Sequence, residues 1–212
     1  MNYIDISPLI SPAIAVYPGD IPFSRNISLD FQKGDNMVLS AISSTVHLGA
    51  HTDAPNHYHP NGKDIADRDL NYYIGKCQVI TVDLPVKARI YPADLPPVKI
   101  QAKRILFRTN SFPDPDHWNN DFNSLSPELI DFLAGKGVIL LGIDTPSVDP
   151  ADSELLESHK AIFKNNQAIL EGVVLEGVTD GIYNLVSLPL KIKKGDASPV
   201  RAILLNDLKI FD

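Results

Sequence analysis

Six histidines are spread through this 212-residue chain, and four of them fall between His47 and His59. The stretch reads His47-Leu48-Gly49-Ala50-His51-Thr52-Asp53-Ala54-Pro55-Asn56-His57-Tyr58-His59, which is four imidazoles and one carboxylate in 13 residues. Imidazole nitrogen with carboxylate oxygen is a ligand set for Zn²⁺, Mn²⁺ or Fe²⁺. A structural zinc site usually closes four positions with Cys and His. Three N/O ligands without Cys leave a position for water, as hydrolytic sites do. A lone histidine is more often a hydrogen-bonded surface or core residue, but four around Gly49 and Pro55 are harder to read that way. His59 fits the ordinary reading best, and His117, in Asp116-His117-Trp118, reads as a surface loop.

Such residues need a backbone to aim them. His47 and His51 are four apart, a helical spacing, yet Gly49, Pro55 and the preceding β-branched run oppose a helix. The expected course is a strand ending near His47, a tight turn at Gly49, then extended chain. There His51 and Asp53 alternate and so point the same way. Pro55 biases Ala54 to an extended conformation and stiffens the approach to His57.

Around this motif, apolar β-branched runs predict strands at Tyr3–Ser7, Met37–His47, Cys77–Asp83, Arg104–Thr109, Val138–Asp144, Ile182–Leu188 and Val200–Leu205. Val138-Ile139-Leu140-Leu141 is apolar on both faces, as a central strand would be. Ser126 with Pro127 predicts a capped helix start, with apolar residues spaced through Leu133 and Gly135 and Gly137 ending it. A second helix is predicted from Asp152 to about Asn166, with acidic residues in its first turn. The 17 prolines fall as punctuation between short elements, and no linker is visible. The expected fold class is α/β, as one domain over residues 1–212.

Composition narrows the function classes. Apolar residues are 44% and charged residues 21% of the chain, a globular balance. The formal charge is −7, and no Lys/Arg run forms a phosphate-binding stripe, so no nucleic-acid partner is expected. No apolar run is long enough to span a membrane. The start, Met1-Asn2-Tyr3-Ile4-Asp5, has neither the basic nor the apolar region of a signal peptide. A single cysteine, Cys77, excludes an intramolecular disulfide, and a cytoplasmic location is expected.

The spacing His47-x-Gly49-x-His51-x-Asp53-x-Pro55-x-His57 resembles the HxGTHxDxPxH signature of the metal-dependent cyclase-like hydrolases, and within them the arylformamidase branch. Tyr17-Pro18-Gly19-Asp20, Gly142-Ile143-Asp144-Thr145-Pro146-Ser147-Val148-Asp149, Ile169-Leu170-Glu171-Gly172, Leu188-Pro189-Leu190 and Ser198-Pro199-Val200-Arg201-Ala202 extend the resemblance nearly end to end. Ala50 departs from the pattern, where Thr is usual. The resemblance implies a cyclase-like, swivelling β/β/α-type fold with a central mixed sheet and flanking helices. It implies two divalent metal ions, zinc first and Mn²⁺ or another as options. His47, His51 and Asp53 would hold one ion, and Asp53 would bridge to a second held by His159 and Glu171. From the residues alone, His159 reads as an exposed helix residue and Glu171 as an ordinary charge beside a strand.

The implied activity is cleavage of the formamide of N-formyl-L-kynurenine to L-kynurenine and formate, a step of tryptophan catabolism, by metal-bound hydroxide. His57 would be the general acid/base, since an ordinary His pKa near 6.5 suits proton shuttling. The alternative is another amide hydrolase of the same family, acting on isatin or another cyclic amide. A catalytically silent metal-binding or assembly protein rests only on Ala50. Tyr17 and Phe23 flank a Pro-Gly turn and are candidates to stack on an aryl ring, or are plain core residues. Trp118 would cover a pocket or cap a loop. Arg201 or another cation would meet a substrate carboxylate. The expected partners are a small N-formyl arylamine substrate and, by the resemblance, a second copy in a homodimer.

Overall fold

The computed structural model describes residues 3–206; Met1, Asn2 and 207–212, which the expected domain includes, lie outside the described residues. In the first half of the chain lie β1 (Tyr3–Asp5), β2 (Ser24–Leu29), β3 (Leu39–Ser43), β4 (His51–Asp53), α1 (Pro55–Tyr58), β5 (Ile74–Thr81), β6 (Arg89–Ile90) and β7 (Arg104–Arg108). The second half adds β8 (Ser124–Leu125), α2 (Pro127–Ala134), β9 (Leu140–Ile143) and α3 (Glu157–Lys164). It closes with β10 (Ala168–Leu170), β11 (Gly181–Val186), β12 (Ala197–Pro199) and β13 (Ile203–Leu205).

Seven strands form the main sheet in the order β1-β13-β11-β5-β7-β9-β10. The β1–β13, β13–β11 and β11–β5 pairs are antiparallel, whereas β5–β7, β7–β9 and β9–β10 are parallel. The sheet is therefore mixed, and the α/β expectation holds. Alternation along each strand divides the core in two. Val79, Leu106, Leu140 and Leu170 enter one buried cluster, and Ile80, Phe107, Leu141 and Ile169 the other. The second is closed by Leu129, Ile130 and Leu133 of α2 and Ile162 of α3. Ser126 caps α2 by accepting the Leu129 N–H at 3.0 Å. No helix among the described residues is long and apolar enough to cross a membrane.

Three expectations change. The run 37–47 is strand only over Leu39–Ser43, and it pairs with β2 in an exposed hairpin outside the main sheet. The run 200–205 is strand only over Ile203–Leu205, in β13; β12 ends before it at Pro199, and the Val200 N–H donates to the Ala50 carbonyl at 2.9 Å. The helix expected from Asp152 begins at Glu157, because Leu156 before it takes a left-handed backbone, φ 48°, that a helix cannot include.

β4 is the element that carries the motif. It is three residues long and held on both sides, by β12 and by an antiparallel bridge from His51 to Glu171. His51 N–H donates to the Glu171 carbonyl at 3.0 Å, and Glu171 N–H returns to the His51 carbonyl at 2.9 Å. The bridge needs close approach: a Cβ on Gly172 would sit 2.2 Å from the Gly49 carbonyl oxygen, and Gly172 has φ +65°. Gly172→Ala should therefore cost about 2 kcal/mol or more of stability, measured by urea unfolding. An unchanged midpoint would show that the Gly49–Gly172 contact is slack.

Candidate active site

The Gly49 turn and the extended chain expected after it are present, while the strand expected to end near His47 stops at Ser43. Gly49 turns with φ +54°, and His51 and Asp53 follow in extended chain, both buried. Pro55 opens α1, a single helical turn that carries His57. The backbone did more here than stiffen: it coiled, and the turn sets the His57 ring 4.3 Å from the His47 ring, centre to centre. Ala50, in the place of the usual Thr, packs into the first core cluster, and its carbonyl accepts the Val200 N–H at 2.9 Å. It is not among the residues that line the cavity described below.

Two distant segments complete the cluster. Glu171 directly follows β10 and is aligned by the bridge to His51, while His159 lies in the first turn of α3. His159 and Glu171, which read from sequence as exposed and ordinary, are 3% and 2% exposed. His47 Nδ1 is 3.0 Å and His51 Nε2 3.6 Å from Asp53 Oδ1. On the other oxygen, His159 Nε2 is 3.3 Å from Asp53 Oδ2, and it is 3.9 Å from Glu171 Oε1. His51 Nε2 is 3.1 Å from Glu171 Oε2. Ligand atoms within 4.8 Å of one another thus form three sets: His47–His51–Asp53 and Asp53–His159–Glu171, which share Asp53 and are the more buried, and His47–His57–Asp196 nearer the surface.

The donor set fits a divalent cation on two observations. Asp53 is fully buried, and its Oδ1 has no aligned hydrogen bond even though His47 Nδ1 is near it; a carboxylate oxygen is costly to leave so. Each imidazole also has its second nitrogen occupied. His51 Nδ1 faces the Gly49 carbonyl at 2.9 Å, His159 Nδ1 faces Asp149 at 2.7 Å, and His47 Nε2 faces Asp196 at 3.2 Å. Such outer partners are the usual companions of metal-binding imidazoles. Glu171 Oε1 accepts the Val148 N–H at 2.6 Å.

Without a cation the cluster binds protons instead. Burial lowers the His47 and His159 pKa values, but neighbouring carboxylates outweigh it. Asp53 and Asp196 carry His47 up to about 9, and Asp149 and Asp53 carry His159 up to about 10. Burial would raise the Asp53 carboxyl, yet His159 and His47 hold it well below the ordinary carboxylate range. His57 differs: burial dominates and lowers its pKa, which leaves a neutral imidazole at pH 7. Its Nδ1 is 3.9 Å from Asp196 Oδ2.

A cavity of about 840 Å³ opens over the cluster. His47, His51, Asp53, His57, His159 and Glu171 line one side, and Tyr17, Phe112 and Trp118 stand among its other walls. The Tyr17 and Trp118 rings meet edge to face at 5.3 Å, and the Tyr17 hydroxyl donates to the Ala151 carbonyl at 2.9 Å. Phe23, half-buried before β2, does not line the cavity. Arg201 is excluded as a cavity cation, because it sits outside and pairs with Asp5. Arg108, at the end of β7, is the one Lys or Arg among the described residues that lines it. His59 stacks on Phe163 at 3.8 Å, and His117 pairs with Asp114 on the exterior. In the residue order Asp149 stands only as a motif member, and Asp196 belongs to no motif. Nothing local marks Asp196, whose role follows from β12 pairing with β4.

Residues 4–150 match the family model described as "Putative cyclase". The chain is 41% identical over 201 residues to a kynurenine formamidase of Erythrobacter litoralis, covering 94% of this chain and 92% of that one. A kynurenine formamidase of Bordetella petrii is 39% identical over 206 residues, covering 94% and 96%. Among solved structures, a potential metal-dependent hydrolase with cyclase activity superimposes with TM-score 0.81 at 28% identity, over 96% of each chain. The buried His/Asp/Glu cluster and these likenesses over nearly the whole length lead to one conclusion: the chain belongs to the cyclase family.

Proposed function

We propose that this chain is an amidohydrolase that cleaves the formamide of N-formyl-L-kynurenine, releasing L-kynurenine and formate. The observation that carries this reading is the sharing of Asp53 between two sets of donors at the floor of an aromatic-walled cavity. The identity with kynurenine formamidases over 94% of the chain supports the substrate. His47, His51 and Asp53 are assigned to one divalent ion and Asp53, His159 and Glu171 to a second, with zinc as the expected metal. Ions held there would supply Lewis acidity and lower the pKa of water from about 15.7 towards 7.

The remaining work falls to the chain's own groups. The formyl C–N bond breaks, the oxygen of water ends in formate, and the arylamine nitrogen gains a proton. His57 is neutral, one-third exposed and at the cavity edge of the cluster, so it can take a proton from water and return it to that nitrogen. Tyr17, Phe112 and Trp118 offer π-faces and edges for the aryl ring. Arg108, the cation on the cavity wall, is assigned to the amino-acid carboxylate; its guanidinium also donates to the Val178 carbonyl and lies 3.9 Å from Asp180. The working form is proposed as a cytoplasmic homodimer, which light scattering checks.

The direct test is release of kynurenine from N-formyl-L-kynurenine by purified protein, lost on chelation and restored by zinc or manganese. Turnover of isatin in its place, with none of the formamide, would overturn the substrate. His57→Ala should lower kcat by about 10²–10⁴-fold while bound metal, read by elemental analysis, stays unchanged.

A pH dependence follows from the raised imidazoles. Their protons stabilise the metal-free fold fully below about pH 6.5, and that contribution is lost as pH rises through about 9 for His47 and 10 for His159. A cation must displace those protons. Metal binding at neutral pH should therefore release protons, seen as a buffer-dependent heat in calorimetry, and the gain in Tm on loading should grow from pH 6.5 to 8.5. A heat independent of the buffer would show that the imidazoles are already neutral.

A further inference from the structure

α3 begins without a cap of its own. Leu156 precedes it in a left-handed backbone and contributes no side-chain hydrogen bond. The open N–H groups of its first turn are taken instead by Asp149, on the loop that follows β9. Asp149 Oδ1 accepts the Ser158 N–H at 3.0 Å, and Oδ2 accepts the His159 N–H at 3.1 Å. The same Oδ2 is 2.7 Å from His159 Nδ1. Asp149 is fully buried, with Arg89 3.4 Å from Oδ1, and Arg89 is itself 2.9 Å from Glu157. One carboxylate thus fixes both the start of the helix and the ring that the helix carries.

An imidazole that donates from Nδ1 has its lone pair at Nε2. For His159 that atom faces Asp53 and Glu171. We infer that Asp149 is a positioning residue: it holds His159 as the Nδ1–H tautomer, with the ring aimed so that Nε2 is presented to the cation shared with Asp53 and Glu171. The inference rests on the metal-ligand reading above. Among the three imidazoles assigned as ligands, only His159 depends on a buried side chain for this. His51 is held by a backbone carbonyl, and His47 by Asp196, whose side chain is half exposed. Asn at position 149 would keep the size and one capping oxygen but lose the second acceptor and the charge.

The test uses the full chain and zinc, with affinity measured by competition against a chelating indicator. Asp149→Asn should weaken zinc binding about 10–100-fold, the cost typical of an outer partner. His159→Ala should weaken it further, and adding Asp149→Asn to His159→Ala should then cost nothing more, because the carboxylate acts through that ring. An unchanged affinity in Asp149→Asn, or a loss that persists in full in the double variant, would make Asp149 a helix cap and nothing else. Should the Asp149 variant not fold, ¹⁵N NMR of the unsubstituted chain loaded with ¹¹³Cd decides. Coupling from cadmium to His159 Nε2 with a proton on Nδ1 supports the inference, and coupling to Nδ1 overturns it. Zinc binding unaffected by His159→Ala would instead overturn the ligand reading itself, and this inference with it.

Discussion

Two carboxylates, Asp53 and Glu171, lie almost wholly out of water, and the arrangement around them answers the cost of putting them there. A buried carboxylate is tolerable only beside positive charge or several hydrogen-bond donors. Among the described residues, no lysine or arginine pairs with either one. The chain brings imidazoles, which accept a proton or present a lone pair to a cation, and it fixes each ring by its second nitrogen. The mixed sheet, the bridge from His51 to Glu171 and the late start of α3 all serve to bring the donors of the two sets that share Asp53, from three separate stretches, to within ligand reach of one another.

The precision comes from backbone pairing more than from side-chain packing. β4 is too short to hold its own direction, yet it has a partner on each flank and a glycine crossing beneath. His51 and Glu171 exchange two backbone hydrogen bonds, so their side chains cannot drift apart without breaking both. His159 has no such tie to the sheet; a carboxylate at the head of its helix takes that part.

Much of this was legible in the residue order. The Gly49 turn and the extended His51–Asp53 pair follow from glycine's freedom and the strand's period of two, and Ser126-Pro127 marks a helix start wherever it falls. The main strands were legible for the same reason, since β-branched runs leave few other options. What could not be read depends on long-range pairing. Val200 and Ala202 continue an apolar run, yet only Ile203–Leu205 is strand, because the Val200 N–H is taken by the Ala50 carbonyl beside β4. Asp152 and Glu154 suit a first helical turn, but the left-handed Leu156 moves the start to Glu157. Arg201 sits in a motif yet faces outward to Asp5, and Phe23 lies off the cavity. His159 and Glu171 needed the family resemblance, because a buried charge looks like an exposed one in a string of letters.

The walls of the cavity have a separate origin from its floor. Tyr17, Phe112 and Trp118 come from connecting segments that supply none of the six acid, base and donor residues grouped around Asp53. Loops tolerate exchange far more readily than paired strands do. Changes in these segments can therefore redraw which flat molecules fit while the hydrolytic floor is inherited intact. In a lineage that meets new aromatic amides, appetite and chemistry can evolve on separate clocks.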